Sequence, residues 1–154
     1  MKGEKMDKEE RRRRLASNPY EAMYTANISD GYLTLPLECI KDLNSKSIFI
    51  TFSREEGMLC LYSPESFENV RHNLDCLNFL DPKIRLLKRR IIGCAVEIEI
   101  NDENQVYIHP EFLTELGFGT NQEKIENETF SVVILKYSYV ILIVSSSLFE
   151  EVYG

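Results

Sequence analysis

This chain carries one architectural unit twice, and the duplication limits its folds more than any local motif does. The ten residues from Leu61 to Val70 align without a gap to those from Ile143 to Val152, and four of the ten pairs, Ser63/Ser145, Phe67/Phe149, Glu68/Glu150 and Val70/Val152, are identical. Upstream, Leu33-Thr34-Leu35-Pro36 and Tyr107-Ile108-His109-Pro110 each end a short extended stretch on proline and lead into a helical pattern. Self-similarity of this kind says that each half is incomplete and that the two close against each other. The expected superposition places Pro36 over Pro110 and Phe67 over Phe149, with both phenylalanines buried. The prolines lie closer together than the phenylalanines, so the second copy needs an insertion, and the polar stretch 119–128 is the place for it.

The 154 residues suit one domain of ordinary size. Cys39, Cys60, Cys76 and Cys94 stand far apart, form no Cys-x-x-Cys pair and sit mostly among apolar neighbours, which predicts reduced core thiols of a cytosolic protein and neither a disulfide framework nor a zinc site. Residues 1–14 are charged throughout and hold no apolar core of a signal peptide. The longest apolar stretch, 132–144, is interrupted by Lys136-Tyr137-Ser138 and is too short to cross a bilayer, so it predicts two buried strands around a tight turn.

The net charge of −7 hides a division. Residues 1–19 hold seven of the 18 basic residues and four of the 25 acidic ones, leaving a body with 11 basic against 21 acidic. Affinity for nucleic acid rests mainly on neutralising phosphates, so an acidic body binds DNA only through a few well-placed cations. In the first segment Arg11, Arg12, Arg13 and Arg14 are consecutive and cannot share one helical face. This segment reads either as a solvated tail or as a phosphate-binding arm.

Turn chemistry at Ser29-Asp30-Gly31 predicts a break between two strands within 20–35. A short helix from Pro36 follows, then strands over 47–52 and 58–62, then a helix that Ser63 caps and Pro64 opens, bearing Phe67, Val70 and Leu74 on one stripe. A linker helix reuses the device with Asp81 and Pro82. Ile84, Leu87 and Ile91 share one of its faces, and Arg85, Lys88 and Arg89 form a cationic stripe on another. The second copy is expected as strands 94–100 and 105–109, helix 111–116, hairpin 130–144 and a last helix from about Ser147.

That order, given twice around an Asp-Pro-x-x-Arg-x-x-x-Arg helix, resembles the MraZ family of bacterial transcription regulators. Asp81, Pro82, Arg85, Arg89 and Ala95 carry the match in the linker, and Leu59 to Pro64 is similar to the family's hairpin end entering its first helix. The resemblance spans roughly residues 20–153. It implies an α+β fold, a duplicated AbrB/MraZ-type swapped-hairpin β-barrel with short flanking helices. The units are a basic tail at 1–19, a first AbrB-like repeat at 20–75, a linker helix at 76–93 and a second repeat at 94–154. It further implies a cytoplasmic, nucleoid-associated protein without cofactor, metal, membrane or small-molecule partner, which assembles into rings and binds double-stranded DNA at promoter repeats upstream of the cell-division and cell-wall gene cluster.

The family's DNA-contacting element is an Asp-x-x-x-Arg turn in each repeat, usually with Gly before the Arg. Counted back from Pro36, the arginine position is Tyr32, the glycine is Gly31 and the aspartate position is Ile28, or Ser29 or Asp30 if the turn is one residue shorter. Counted back from Pro110, Asp102 matches, while Gln105 and Val106 replace glycine and arginine. Neither a phenol nor an isopropyl group supplies the fixed fork of donors that a guanidinium does. The candidate DNA-binding residues are therefore the turn positions Asp30, Gly31, Tyr32 and Asp102 and the cations Arg11 to Arg14, Arg85, Lys88 and Arg89. Tyr32 is either a stacking residue or a half-buried turn tyrosine, and the linker arginines either meet DNA or lock the repeats together by ion pairs. Tyr20, Met23 and Tyr24 belong either to a subunit interface or to the core. His72 and His109 have no partner at catalytic spacing, and Ser145-Ser146-Ser147 has no Gly-x-Ser-x-Gly frame, so enzymatic chemistry is not expected. Two functions fit: a regulator whose DNA contacts have moved to other cations, or an oligomeric interaction protein that has lost operator binding.

Overall fold

A computed structural model of the protein describes residues 20–53, 57–78, 80–118, 129–137 and 139–153. The first half gives β1 (Ala22–Ser29), β2 (Tyr32–Thr34), α1 (Leu37–Leu43), β3 (Ser47–Ser53), β4 (Met58–Tyr62) and α2 (Pro64–Asp75). The linker helix is α3 (Pro82–Ile91), and the second half gives β5 (Val96–Glu99), β6 (Gln105–Tyr107), α4 (Pro110–Glu115), β7 (Thr129–Lys136), β8 (Ile141–Ser145) and α5 (Ser146–Tyr153). The polar segment expected to hold the insertion lies outside the described residues.

All eight strands join one antiparallel sheet in the order β5-β3-β4-β8-β7-β1-β2-β6. The edge strands β5 and β6 are consecutive in the chain, and Asn101 N–H donates to the Gln105 carbonyl at 3.0 Å between them, so the sheet curls into a nearly closed barrel. Exchanging the halves, β1 for β5, β2 for β6, β3 for β7 and β4 for β8, returns the same cyclic order. Strands are traded between halves: β1 pairs with β7, and β3 with β5. The pseudo-two-fold axis passes through the pairs Cys60↔Leu142 and Leu33↔Val106, each joining a residue to its own equivalent. The expected duplicated, swapped barrel is what the chain forms.

The superposition differs from expectation by one residue. Pro36 is the residue before α1, with φ −59° and ψ 149°, and its equivalent is His109, with φ −58° and ψ 148°; Pro110 is the first residue inside α4. Hydrogen bonds keep the same phase: Leu35 N–H donates to the Asn104 carbonyl at 2.9 Å, and Ile108 N–H to that of Gly31 at 2.7 Å. Both helices end at left-handed residues, Asn44 (φ 44°) and Gly117 (φ 97°). Proline serves either at the cap or in the first turn, because its fixed φ suits both, so it does not mark the register by itself.

Ile28, Leu33, Ile48, Ile50, Val106 and Ile134 are fully buried inside the barrel, and α1 and α4 plug it with Cys39, Leu43, Phe112 and Leu113. A second cluster, Met58, Val133, Leu135, Val144 and Val152, lies between the outer face of β7 and β8 and helix α5. This is why β7 is apolar without alternation: it is covered on both faces. Ser63 Oγ accepts from Ser66 N–H at 3.1 Å to start α2, and Ser145 Oγ accepts from Leu148 N–H at 3.2 Å to start α5.

Phe67 is 2% exposed, stacked on Phe49 at 4.4 Å and tilted against Tyr62. Phe149, expected to be equally buried, is half-buried, since the cross-strand pair equivalent to Phe49↔Tyr62 is Val133↔Val144, which offers less surface to a ring. The cysteines also divide: Cys39 is in the core, Cys60 is half-buried, and Cys76 and Cys94 are exposed because they flank the linker and not a strand.

Candidate nucleic-acid interface

Antiparallel pairing of β2 with β6 brings the two β-turns of the repeats into one surface ribbon, with Tyr32 opposite Tyr107 and Thr34 opposite Gln105. The first turn has two residues, Asp30 (φ 54°) and Gly31 (φ 86°), between the paired Ser29 and Tyr32; two consecutive positive φ values match the twist of a hairpin. The second turn is one residue longer. Asn101 Oδ1 accepts from the N–H groups of Glu103 and Gln105, both at 2.9 Å, and its Nδ2 donates to Gln105 Oε1 at 3.1 Å. Asn104 (φ 63°) occupies the position of Gly31.

The one-residue correction in register changes the site. The residue equivalent to Tyr32 is Gln105. Val106, counted from Pro110 as the arginine position, is equivalent to Leu33 and completely buried. Four residues before Gln105 stands Asn101, whose side chain organises the turn, and exposed Asp102 is its neighbour. Counting from Pro110 puts Gln105 at the glycine position and passes over Asn101, although an asparagine that accepts from backbone two and four residues on is the usual turn signal.

Tyr32 is 42% exposed and meets the edge of Tyr107 at 5.3 Å; Tyr107 in turn meets His109 at 5.2 Å, and His109 meets Phe112 at 6.2 Å. This aromatic row, apart from Tyr32, had no signal in the sequence, since its members come together only through the β2–β6 pairing and the start of α4. No lysine or arginine occurs in 20–40 or 94–118, the segments that build the ribbon. Its exposed charges include Asp30, Asp102 and Glu103. The ribbon therefore presents aromatic and amide groups with net negative charge.

The described cations of the candidate set are gathered on α3. Asp81 Oδ1 accepts from Lys83 N–H at 2.9 Å to cap this helix, and its last turn bears Lys88, Arg89 and Arg90, favourably placed against the carbonyl end of the helix dipole. Lys88 is half-buried and pairs with Asp75 of α2 at 2.9 Å. Arg85 and Arg89 are exposed, line a shallow groove with Pro82 and Leu86, and form no ion pair among the described residues. The interlocking ion pair between elements is thus made by Lys88 and not by the two arginines. Arg11 to Arg14 lie outside the described residues. His72 Nε2 is 3.8 Å from Cys76 Sγ, and His109 caps α4, so the two histidines remain apart. Among the described residues no group of three His, Cys, Asp or Glu side chains can hold a metal ion, and no helix is long and apolar enough to cross a membrane.

Tyr20 packs against the outer cluster and Tyr24 against the barrel core, where its hydroxyl donates to the Glu38 carboxylate; that bond pushes the phenol up to about 12. Met23, between them, is 43% exposed.

No family model matches the chain. It is similar to the transcriptional regulator MraZ of Coxiella burnetii, in the strains Dugway 5J108-111, RSA 331 / Henzerling II and RSA 493 / Nine Mile phase I, at 25% identity over 93 residues in each. The match covers 58% of this chain, and the chain spans about three fifths (61%) of the length of these curated relatives. The similarity agrees with the two-repeat barrel and with the Asp81-Pro82-Arg85-Arg89 linker.

Proposed function

We propose that the protein is a DNA-binding transcriptional regulator of the MraZ type whose phosphate contacts have moved from the ribbon to the linker helix and the N-terminal segment. It acts, on this reading, as a self-associating, nucleoid-associated protein at promoter repeats of the cell-division and cell-wall gene cluster. The supporting observation is the pair Arg85 and Arg89, exposed on one face of α3 without an ion pair among the described residues, in a body otherwise acidic. An unpaired surface guanidinium is available to a phosphate, and each phosphate neutralised adds about 0.9 to the slope of log affinity against log salt.

The ribbon favours a second reading, an oligomeric interaction protein that has lost operator binding, because Asp30, Asp102 and Glu103 repel phosphate where the family's arginines stand. A gel-shift salt series on the protein's own upstream region separates the two. The regulator reading expects binding at low salt that weakens steeply with salt. Replacing Arg85 and Arg89 by Gln should lower the slope by about two units, and deleting residues 2–14 by up to about four. Absence of binding by the wild type at low salt selects the interaction protein; sequence-specific binding that survives both changes overturns the assignment of residues.

A further inference from the structure

We propose that helix α3, with the connection before it, is a docking surface for an anionic phospholipid bilayer, a partner that the resemblance does not imply. The inference goes beyond the reading above and stands without its DNA binding. Among the described residues eight large apolar side chains stand exposed, and four of them, Leu77 (41%), Leu80 (71%), Leu86 (45%) and Leu87 (40%), fall within one short stretch that ends inside α3. The other four are scattered: Met23 on β1, Tyr32 on β2, Leu37 at the start of α1 and Tyr139 before β8. Single exposed apolar residues are ordinary, but a group of four marks an interaction surface. Residues 82–95 also carry five basic residues, Lys83, Arg85, Lys88, Arg89 and Arg90, and no acidic one. Cations are thus concentrated on α3 in an otherwise acidic body, and this is the face it can turn toward a negative surface.

The order of residues around the helix sets leucine and cation side by side. Ile84, Lys88 and Ile91 are half-buried toward the body, and Lys88 is fixed there by Asp75. The opposite side is led by Leu86, with Lys83 and Arg89 at i−3 and i+3 on either side of it. The helix is about 15 Å long and held along the body by its inner face, so it can rest in the plane of the headgroups and cannot cross. Long cationic side chains then reach headgroup phosphates while their stems and the leucines between them enter the acyl boundary. DNA satisfies the cations and leaves the leucines in water. A second α3 across a two-fold axis covers the leucines but sets cation against cation. An anionic bilayer satisfies both, because phosphate and hydrocarbon lie next to each other at its surface. One short helix with a few half-exposed leucines gives weak, salt-sensitive attachment, and Arg85 and Arg89 cannot hold lipid and DNA at once.

Co-sedimentation of the full chain with phosphatidylglycerol vesicles, and with phosphatidylcholine vesicles as the neutral control, tests this at low and moderate salt, with circular dichroism to confirm that each variant is folded. The wild type is expected to sediment with phosphatidylglycerol alone, and less at moderate salt. Leu80→Ser with Leu86→Ser, which keeps every charge, should lower partitioning about tenfold. Arg85→Gln with Arg89→Gln should lower it about 25-fold, at about fivefold for each cation. Leu37→Ser, which removes a leucine about as exposed as Leu80 but on α1, should change nothing. A wild type that stays in solution with phosphatidylglycerol, or binds phosphatidylcholine equally, overturns the proposal. So does a leucine variant that binds as the wild type does, since that is plain charge adsorption. A wild type that ignores vesicles while the leucine variant loses mass in light scattering assigns the leucines to a contact between copies instead. Vesicle binding without DNA binding defeats the regulator reading alone, and DNA binding without vesicle binding defeats this proposal alone.

Discussion

Gly31 holds the first ribbon turn by having no side chain. Its φ of 86° is costly for any L-residue, and a Cβ there would stand 2.6 Å from the Tyr107 ring. Gly31→Ala should therefore destabilise the protein by about 1–2 kcal/mol in denaturant titration and displace the Tyr32–Tyr107 contact. On the same ribbon, Tyr32→Arg together with Gln105→Arg places two guanidinium groups outward at equivalent positions and should strengthen binding by about 1–3 kcal/mol per productive contact. Val106→Arg, the change that the Pro110 count suggests, puts the charge into a fully buried site and should unfold the protein. The sequence could not choose between Gln105 and Val106, because a one-residue offset between two prolines is invisible until the pairing Leu33↔Val106 is known. The buried Cys39 is a second residue-scale test. Burial pushes its thiol up to about 11, so its contribution to stability is complete below the ordinary thiol range near pH 8.5 and is lost as pH rises through 11. Native alkylation at pH 8 should modify exposed Cys76 and Cys94 and leave Cys39 intact.

At the level of elements, local chemistry was legible and partnership was not. The Asp30-Gly31 turn, the Ser63 and Asp81 caps and the apolar hairpin of β7 and β8 all follow from side chains that act within a few residues, and each stands where the sequence places it. The period of Ile84, Leu87 and Ile91 shows that α3 is amphipathic, but a period carries no information on what covers the face, and Leu87 is left 40% exposed. The trading of β1 and β5 between halves leaves no local mark either, since the two strands alternate in the same way. With no fully buried residue, α3 is held by its cap, the Lys88–Asp75 pair and the half-buried Ile84 and Ile91 among other contacts. Hydrogen exchange should accordingly show α3 opening with a free energy far below the global one, while β1, β7 and β8 exchange only on global unfolding. Asp81→Ala, expected to cost the helix about 0.5–2 kcal/mol, should speed exchange in α3 and barely move the melting temperature. Phe67→Ala belongs to the opposite regime and should cost about 3–5 kcal/mol, against about 1–2 for the half-buried Phe149.

For the whole molecule, the position of the pseudo-two-fold axis makes a prediction about half of the chain. The pairs on that axis, Cys60↔Leu142 and Leu33↔Val106, join equivalent residues, so a second copy of the first half supplies the same backbone partners as the second half does. In such a pair β4 meets β4 with Cys60 opposite Cys60, β2 meets β2 with Leu33 opposite Leu33, and each β1 joins the other copy's β3. A half of this size is marginal alone, because it buries too small a share of its surface and leaves β1, β3 and β4 with open edges. Residues 20–76 expressed separately should therefore be a two-fold symmetric dimer at tens of micromolar and unfold on dilution, with a midpoint that depends on concentration. The contact carries its own reporter. Directly opposite strand residues have Cα atoms about 4.5–5.5 Å apart, within the span of a disulfide. Mild oxidation should then link the two halves through Cys60, and Cys60→Ser should abolish the link while leaving the dimer. A folded monomer of this fragment, or a cross-link that persists in Cys60→Ser, would show that the duplication does not carry the symmetry of the barrel.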